Sequence, residues 1–209
     1  GTIEELIPCN AIAVSGGWTP NVNLWSHCGG KLLWDGETGF YKPDPEKPPI
    51  GKEGETNMLV LGAAAGIFGD YDIQDQVPRK INQLASRLKI KSKRYIETNI
   101  FSKEPENTEV PTYVLPHGAS KEKQKRMYID FQNDVKVSDL QLAVQEGFEN
   151  VEHAKRYTTL GMATDQGKTS NINGIHVLSK ILGKPIDRIG HTTFRPPYKP
   201  IPLGLIAGQ

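Results

Sequence analysis

The sequence has few cysteines, almost no net charge and no long apolar run, and each shortage excludes a class of protein. Two cysteines, Cys9 and Cys28, are too few for a disulfide framework and favour a reducing compartment. The 25 Lys and Arg residues balance 24 Asp and Glu, so the net charge of +1 gives no electrostatic argument for nucleic acid. No apolar run approaches the roughly 20 residues needed to cross a bilayer. We expect a cytoplasmic protein without a nucleic-acid or membrane partner.

Apolar residues are nevertheless frequent enough to build a core, at 37% of the chain. The chain starts with GTIEELIPCNAIAVSGG, which reads as turn and strand, and it stops at GLIAGQ without a closing element. We expect an internal piece of a longer protein.

The first half predicts an α/β arrangement. Residues 10–14 and 57–61 are apolar runs of strand length that end in small residues, as buried parallel strands do. Alternation in residues 29–35 predicts a hairpin strand paired with the segment near Phe40 and Tyr41. Residues 43–54, rich in proline and glycine, predict a loop.

Two further segments complete this half. Residues 78–91 predict a helix with Pro78 in its first turn and a stripe of apolar residues, namely Ile81, Leu84, Ala85 and Leu88. Residues 92–126 are low in apolar content and predict a polar linker.

The glycine-rich segment at residues 62–66 has two interpretations. A strand followed by small residues and a helix lets a backbone approach a dinucleotide closely. The alternative is a small-residue crossover that only allows a helix to pack on a strand. Nearby Asp70 and Asp72 are better explained as helix-start or solvated charges than as a catalytic pair.

The second half predicts a strand at residues 127–131 and then helices with apolar stripes. A capping box of Ser138 and Gln141 predicts the start of the first helix. Gly147, Gly161 and Gly183 predict the helix ends. The predicted core residues of these helices are Leu140, Ala143, Val144 and Phe148, then Val151, Ala154, Tyr157 and Leu160, and finally Ile172, Ile175, Leu178 and Leu182. The proline-rich tail after residue 191 should run extended along a surface.

The loop at residues 165–170 is the strongest candidate for an anion site. It offers backbone N–H groups, a helix start, Lys168 and Thr169, while Ser170 or Asn171 could cap the helix that follows. It is not a nucleotide-binding P-loop, because five residues rather than four separate Gly161 and Gly167 and a helix precedes it. A solvated lysine in a tight turn is the alternative.

No catalytic or metal site emerges from the titratable residues. The five histidines are scattered, and none has a spaced acidic or serine partner. His27 beside Cys28 supplies two metal ligands where zinc requires four.

Long motifs carry a family resemblance. The stretch YIDFQNDVKVSDLQLAVQEGFENVEHAKRYTTLGMATDQGKTSNINGI and the tail TTFRPPYKPIPLGLIAG closely resemble the middle of the alpha subunits of heterotetrameric sarcosine oxidases. Upstream, AIAVSGGWTPNVNL, GGKLLWD and LVLGAAAG resemble the end of the dinucleotide-binding domain of the same subunits. The match is looser between residues 70 and 125.

The resemblance implies an enzyme that demethylates sarcosine oxidatively, giving glycine, hydrogen peroxide and methylene-tetrahydrofolate. The alpha subunit of that family binds NAD and carries a folate domain that this chain lacks, and beta, gamma and delta subunits are its partners. FAD and covalent FMN are held in the beta subunit or at its interface. The resemblance thus implies no catalytic residue here, and we expect the isolated chain to be inactive.

Family motifs also imply the NAD contacts, which fall on Gly62, Ala63, Gly66, Phe68 and Asp70. The family prefers an aliphatic residue where Phe68 stands and a hydroxyl where Asp70 stands. A carboxylate near a diphosphate is disfavoured by like-charge repulsion. This substitution argues against tight NAD binding.

The second half further resembles the small domain of bacterioferritin-associated ferredoxins, which holds a two-iron cluster through C-x-C and C-x-x-x-x-C. Those four positions carry Asp130, Gln132, Asp165 and Ser170, and none is a thiolate. We therefore expect a scaffold without the cluster, whose polar residues hold two loops together. Alternatively they meet a flavin phosphate, for which the candidate ligands are Lys168, Thr169 and Ser170.

The predicted fold class is α/β plus α, a partial dinucleotide-binding (Rossmann-like) portion followed by a small mainly helical domain. The predicted limits are 1–91 for the dinucleotide-binding part, 92–126 for the linker and 127–209 for the helical module with its tail. The functional alternative is a non-catalytic assembly module of another flavin-dependent amine oxidase or dehydrogenase.

Overall fold

A computed structural model describes residues 7–11, 13, 17–56, 58–91, 120–196 and 199–208. Its elements are short helices and two-residue to four-residue strands, apart from two longer helices. In chain order they are α1 Asn23–His27, β1 Leu32–Asp35, β2 Phe40–Pro43, a 3₁₀ turn Gly62–Ala65, α2 Asp70–Arg87, α3 Lys121–Gln124, β3 Tyr128–Asp130, β4 Val135–Lys136, α4 Val137–Gln145, α5 Val151–Thr158, α6 Asn171–Leu182, α7 Ile186–Ile189 and a second 3₁₀ turn Leu203–Leu205. Within the described part, no helix is long and apolar enough to cross a membrane.

The predicted hairpin is confirmed. β1 and β2 pair antiparallel, with Trp34 opposite Tyr41. The turn between them is held by the Asp35 carboxylate, which accepts the Glu37 N–H at 3.1 Å and pairs with the Lys42 Nζ at 2.7 Å. This hydrogen bonding holds the pKa of Asp35 below its usual value, although burial opposes the shift.

The core lies where α4, α5 and α6 meet. Leu140, Leu160 and Leu178 are completely buried there. α6 can approach Leu160 closely because Gly174 has no Cβ, which would overlap the Leu160 side chain. The hairpin β1–β2 packs on the same core: the Trp34 ring lies 5.2 Å from the His176 ring, and the Tyr41 hydroxyl donates to the Ile186 carbonyl at 3.2 Å. The hairpin and the helices therefore share one hydrophobic cluster.

The predicted helix stripes are confirmed for α4 and α6, whereas two predicted helix limits and the predicted burial of Tyr157 are wrong. α4 begins at Val137 rather than at a Ser138 cap, because the Asp139 carboxylate accepts the Lys136 N–H at 2.8 Å. α5 ends at Thr158, since Thr159 turns the chain left-handed before Gly161 is reached. Tyr157 is half exposed, and its ring packs at a tilt against the Phe148 ring with centroids 4.7 Å apart.

The two predicted parallel strands are wrong for the residues that the structure describes. Asn10, Ala11 and Ala13 are exposed and outside any strand, whereas Ile12 and Val14 fall outside the described residues. Residues 58–61 are irregular and lead into the 3₁₀ turn. The sheets of the described residues are two antiparallel hairpins, so an apolar run here has no neighbouring strand to pair with.

The helix predicted at residues 78–91 begins eight residues earlier, at Asp70. The extended Gly69 precedes it, and Asp70 and Asp72 stabilise its first turn as the sequence predicted. Pro78 therefore lies inside the helix. Its expected core stripe is not buried, since Ile81 is 44% exposed.

The predicted linker at residues 92–126 lies mostly outside the described residues. Its last part contains the single helical turn α3. Thr192 is buried at the start of the proline-rich tail, and residues 199–202 are exposed and irregular, as expected for an extended surface segment.

Two leucines on α4 offer a matched test of the core. We expect Leu140→Ala to lower the free energy of unfolding by about 2–5 kcal/mol, because it opens a cavity among fully buried side chains. Leu142 is 45% exposed, so Leu142→Ala should change the free energy of unfolding by less than about 0.5 kcal/mol. Urea unfolding measures both. Equal losses would contradict the orientation of α4.

Candidate functional site

The candidate site is a polar junction between the β3–β4 turn and the α5–α6 loop. At its centre is Asp130, the last residue of β3, which is buried. Its Oδ1 accepts the Gln132 N–H at 2.9 Å and the Asn133 N–H at 3.2 Å. These bonds close the turn locally, as Asp commonly does in Asx turns.

The second carboxylate oxygen of Asp130 reaches across to the helical loop. Its Oδ2 accepts the Gly161 N–H at 2.8 Å and the Ser170 hydroxyl at 3.4 Å. Ser170 precedes α6, yet its hydroxyl makes no capping bond to that helix. One carboxylate thus orders its own turn and also binds the loop 31 to 40 residues further along the chain.

Two neighbouring side chains strengthen the same junction. The Gln132 amide oxygen accepts the Thr164 hydroxyl at 3.1 Å and the Asp165 N–H at 3.4 Å. The Asn133 amide donates to the Thr159 carbonyl at 2.8 Å. The turn therefore has contacts with both ends of the α5–α6 loop.

Asp165 occupies the backbone donors that were expected to attract an anion. Its carboxylate accepts the Gly167 N–H at 2.9 Å and the Thr169 hydroxyl at 2.8 Å, with the Thr169 N–H at 3.4 Å. Burial raises the pKa of Asp165, but these bonds and the charge of Lys168 outweigh burial and hold it below the usual value. The loop thus carries its own anion.

The structure brings together all four positions that the ferredoxin-like pattern identified. Asp130 meets Ser170, and Gln132 meets Asp165, in the way expected for a scaffold whose polar residues hold two loops together. Sequence reasoning missed the Gly161 N–H and Thr164 as partners. The described residues contain no group of three or more His, Cys, Asp or Glu side chains placed to hold a metal ion.

The predicted flavin-phosphate ligands are placed differently from one another. The Thr169 and Ser170 hydroxyls already donate to Asp165 and Asp130. Lys168 lies on the wall of a cavity that neither Thr169 nor Ser170 lines. The three side chains are therefore not gathered around one empty anion position.

The predicted NAD contacts form a continuous strip from the 3₁₀ turn to the start of α2. Gly62 donates its N–H to the Gln76 side chain at 2.9 Å, and Gly66 lies against Phe40. The Phe68 ring also packs edge-on against Phe40 at 5.7 Å. Because the described residues directly before this turn, 58–61, form no strand, the strip differs from a dinucleotide fingerprint. NAD contact by Ala63 and Asp70 stays a prediction.

Removing one acceptor tests the junction. Asp130→Asn places an amide donor among N–H and O–H donors, so we expect a loss of about 1–3 kcal/mol in the free energy of unfolding. The control is Asp134→Asn in the same turn. Asp134 is exposed with φ 54, a conformation that Asn tolerates, so the change should stay below about 0.5 kcal/mol. Chemical denaturation measures the free energy of unfolding of both variants. An Asp130→Asn protein as stable as the unsubstituted protein would contradict the hydrogen bonds described.

Comparison with known proteins identifies relatives of this chain. Residues 124–209 match the family described as the sarcosine oxidase A3 domain. The whole chain is 36% identical to the sarcosine oxidase subunit alpha of Rhizobium meliloti (strain 1021), and 96% of it aligns at 32% identity with that of Corynebacterium sp. (strain P-1). It spans about a fifth of the length of each, since the matches cover 20% of both relatives.

A solved structure shares the fold. The crystal structure of L-proline dehydrogenase from P. horikoshii superposes with a TM-score of 0.57 at 20% identity, over 91% of this chain and 37% of that chain. At this low identity, the match supports the mixed helix and sheet fold alone. The sequence resemblance noted above is confirmed: the chain belongs to the sarcosine oxidase alpha-subunit family, as a segment of it that includes the A3 domain.

Proposed function

We propose that this chain is a structural and cofactor-contacting segment of a sarcosine oxidase, not its catalytic centre. In this proposal the complex converts sarcosine to glycine with hydrogen peroxide and methylene-tetrahydrofolate. FAD and FMN, held by the beta subunit or at its interface, carry out the oxidation, and folate binds in a domain outside this chain. The single observation that carries the proposal is the Asp130 junction.

The chemistry of the junction supports a brace in preference to an electron carrier. Asp130, Gln132, Asp165 and Ser170 bring carboxylate, amide and hydroxyl groups, whereas iron–sulfur clusters are held by thiolates. The oxygens are used in hydrogen bonds at 2.8 to 3.4 Å that close the loops upon one another. A brace of this kind keeps the surface of the A3 domain rigid for contacts with the other subunits.

The NAD part of the proposal depends on the strip from Gly62 to Asp70. Its small residues leave backbone near the surface, because Ala63 is exposed and Asp70 begins α2. Against this, Gln76 already accepts the Gly62 N–H. A flavin phosphate at Lys168, Thr169 and Ser170 has less support, because two of these side chains are bonded within the loop.

Purification of the native protein that contains this chain tests the proposal. We expect flavin-containing partner subunits to co-purify and the purified protein to produce hydrogen peroxide from sarcosine. We expect the chain to contain less than stoichiometric iron. Activity with other secondary amines, but none with sarcosine, would support the alternative, an assembly module of another flavin-dependent amine oxidase or dehydrogenase. A visible iron–sulfur band assigned to this chain would contradict the brace.

NAD contact has its own matched test. Asp70→Ser should tighten NAD binding about fivefold, since it removes about 1 kcal/mol of repulsion near a diphosphate. Asp72→Ser removes the other carboxylate of the same first turn and should leave the affinity unchanged. Calorimetric titration of the chain and both variants measures this. Equal effects of both substitutions, or no binding to any of the three proteins, would contradict a diphosphate beside Asp70.

A further inference from the structure

A cavity of about 220 Å³ lies between the N-terminal segment and the helical module. Residues 19–23 form one wall, and residues of β1 and β2 form another. The start of α6 closes the cavity together with three residues of the tail, His191, Thr192 and Phe194. It lies beside the loop of the polar junction, but none of its wall is made by Asp130, Gln132 or Asp165.

A buried hydrogen-bond donor lacks a partner in this wall. Asn23 is only 4% exposed, and its Nδ2 has no acceptor among the described residues. A buried polar group without a partner costs about 1–3 kcal/mol. An acceptor placed in the cavity by a ligand would remove that cost.

The remaining wall is mostly apolar and partly aromatic. Phe40, Tyr41, Ile172 and Ile175 all contribute to it. The Tyr41 hydroxyl donates to the Ile186 carbonyl, so it is already satisfied. Flat rings bury a large area against such walls, which favours an aromatic body for the ligand.

The charge of the wall favours an anion. The described residues that line the cavity include one lysine, Lys168, and no Asp or Glu. Lys168 can attract an anion in the cavity, in competition with the Asp165 carboxylate of the same loop, on which its charge also acts. The volume lies below the roughly 300–1,000 Å³ of common ligand pockets, so a compact molecule fits and a dinucleotide does not.

We propose that this cavity binds a small aromatic carboxylate, whose ring lies against Tyr41 and Ile172 and whose oxygens serve Asn23 and Lys168. It would let the segment respond to a small metabolite of that class. Its existence does not depend on the function proposed above.

Benzoate is the probe, and benzamide is the neutral comparison with the same ring. Calorimetric titration of the chain should give saturable one-to-one binding of benzoate and at least tenfold weaker binding of benzamide. Lys168→Met should weaken benzoate binding about tenfold, the loss expected for a partly desolvated charge contact. The control Lys180→Met removes an exposed lysine of α6 outside the cavity and should leave binding unchanged.

Two further variants separate binding from folding. Asn23→Leu removes the unpartnered donor, so benzoate binding should fall at least tenfold while the thermal midpoint stays equal or rises. Ile172→Phe fills the cavity from α6 and should abolish binding in a protein with unchanged circular dichroism. No saturable benzoate binding, equal binding of benzamide, or binding that persists in the Ile172→Phe protein would overturn the proposal.

Discussion

The carboxylate of Asp130 is the interaction on which the rest of the helical module depends. One oxygen orders the β3–β4 turn and the other holds Gly161 and Ser170, so a single buried charge sets the positions of two loops. A buried carboxylate is tolerated only when donors surround it, and hydrogen bonds to a charged acceptor are stronger than neutral ones. Displacing either loop would leave one of the two carboxylate oxygens without its donors.

The same module receives the N-terminal hairpin. Trp34 packs edge-on against both Tyr41 and His176, at 5.1 and 5.2 Å. Burial of the His176 imidazole lowers its pKa, so the ring is neutral near pH 7 and packs as an aromatic group. Residues predicted to end a dinucleotide-binding domain thus contribute to the core of the helices. The core joins segments more than 100 residues apart in the chain.

Sequence periodicity predicted the elements whose cores are local and failed where burial depends on distant partners. The stripe of Leu140 and Ala143 and the stop at Gly183 follow from neighbours along one helix. Residues 10–14 and 58–61 are apolar, but strands require partners that their own sequence does not specify. The predicted start of α2 at Pro78 is wrong, because proline is common in a first helical turn but lies inside this helix. The acidic residues Asp70 and Asp72 mark the true start.

A hydrogen-bonded brace at the four positions of the predicted ferredoxin-like pattern depends on more than their four side chains. A metal cluster needs only ligands, whereas a carboxylate brace needs donors, and here the backbone supplies them at Gly161 and Gly167. Both glycines have positive φ, and a Cβ on either would overlap the Asn171 side chain. A side chain at either position would therefore strain the backbone that presents these donors to Asp130 and Asp165, and it would displace the Asn171 side chain. The loop backbone, as much as the four side chains, makes the junction a hydrogen-bonded brace.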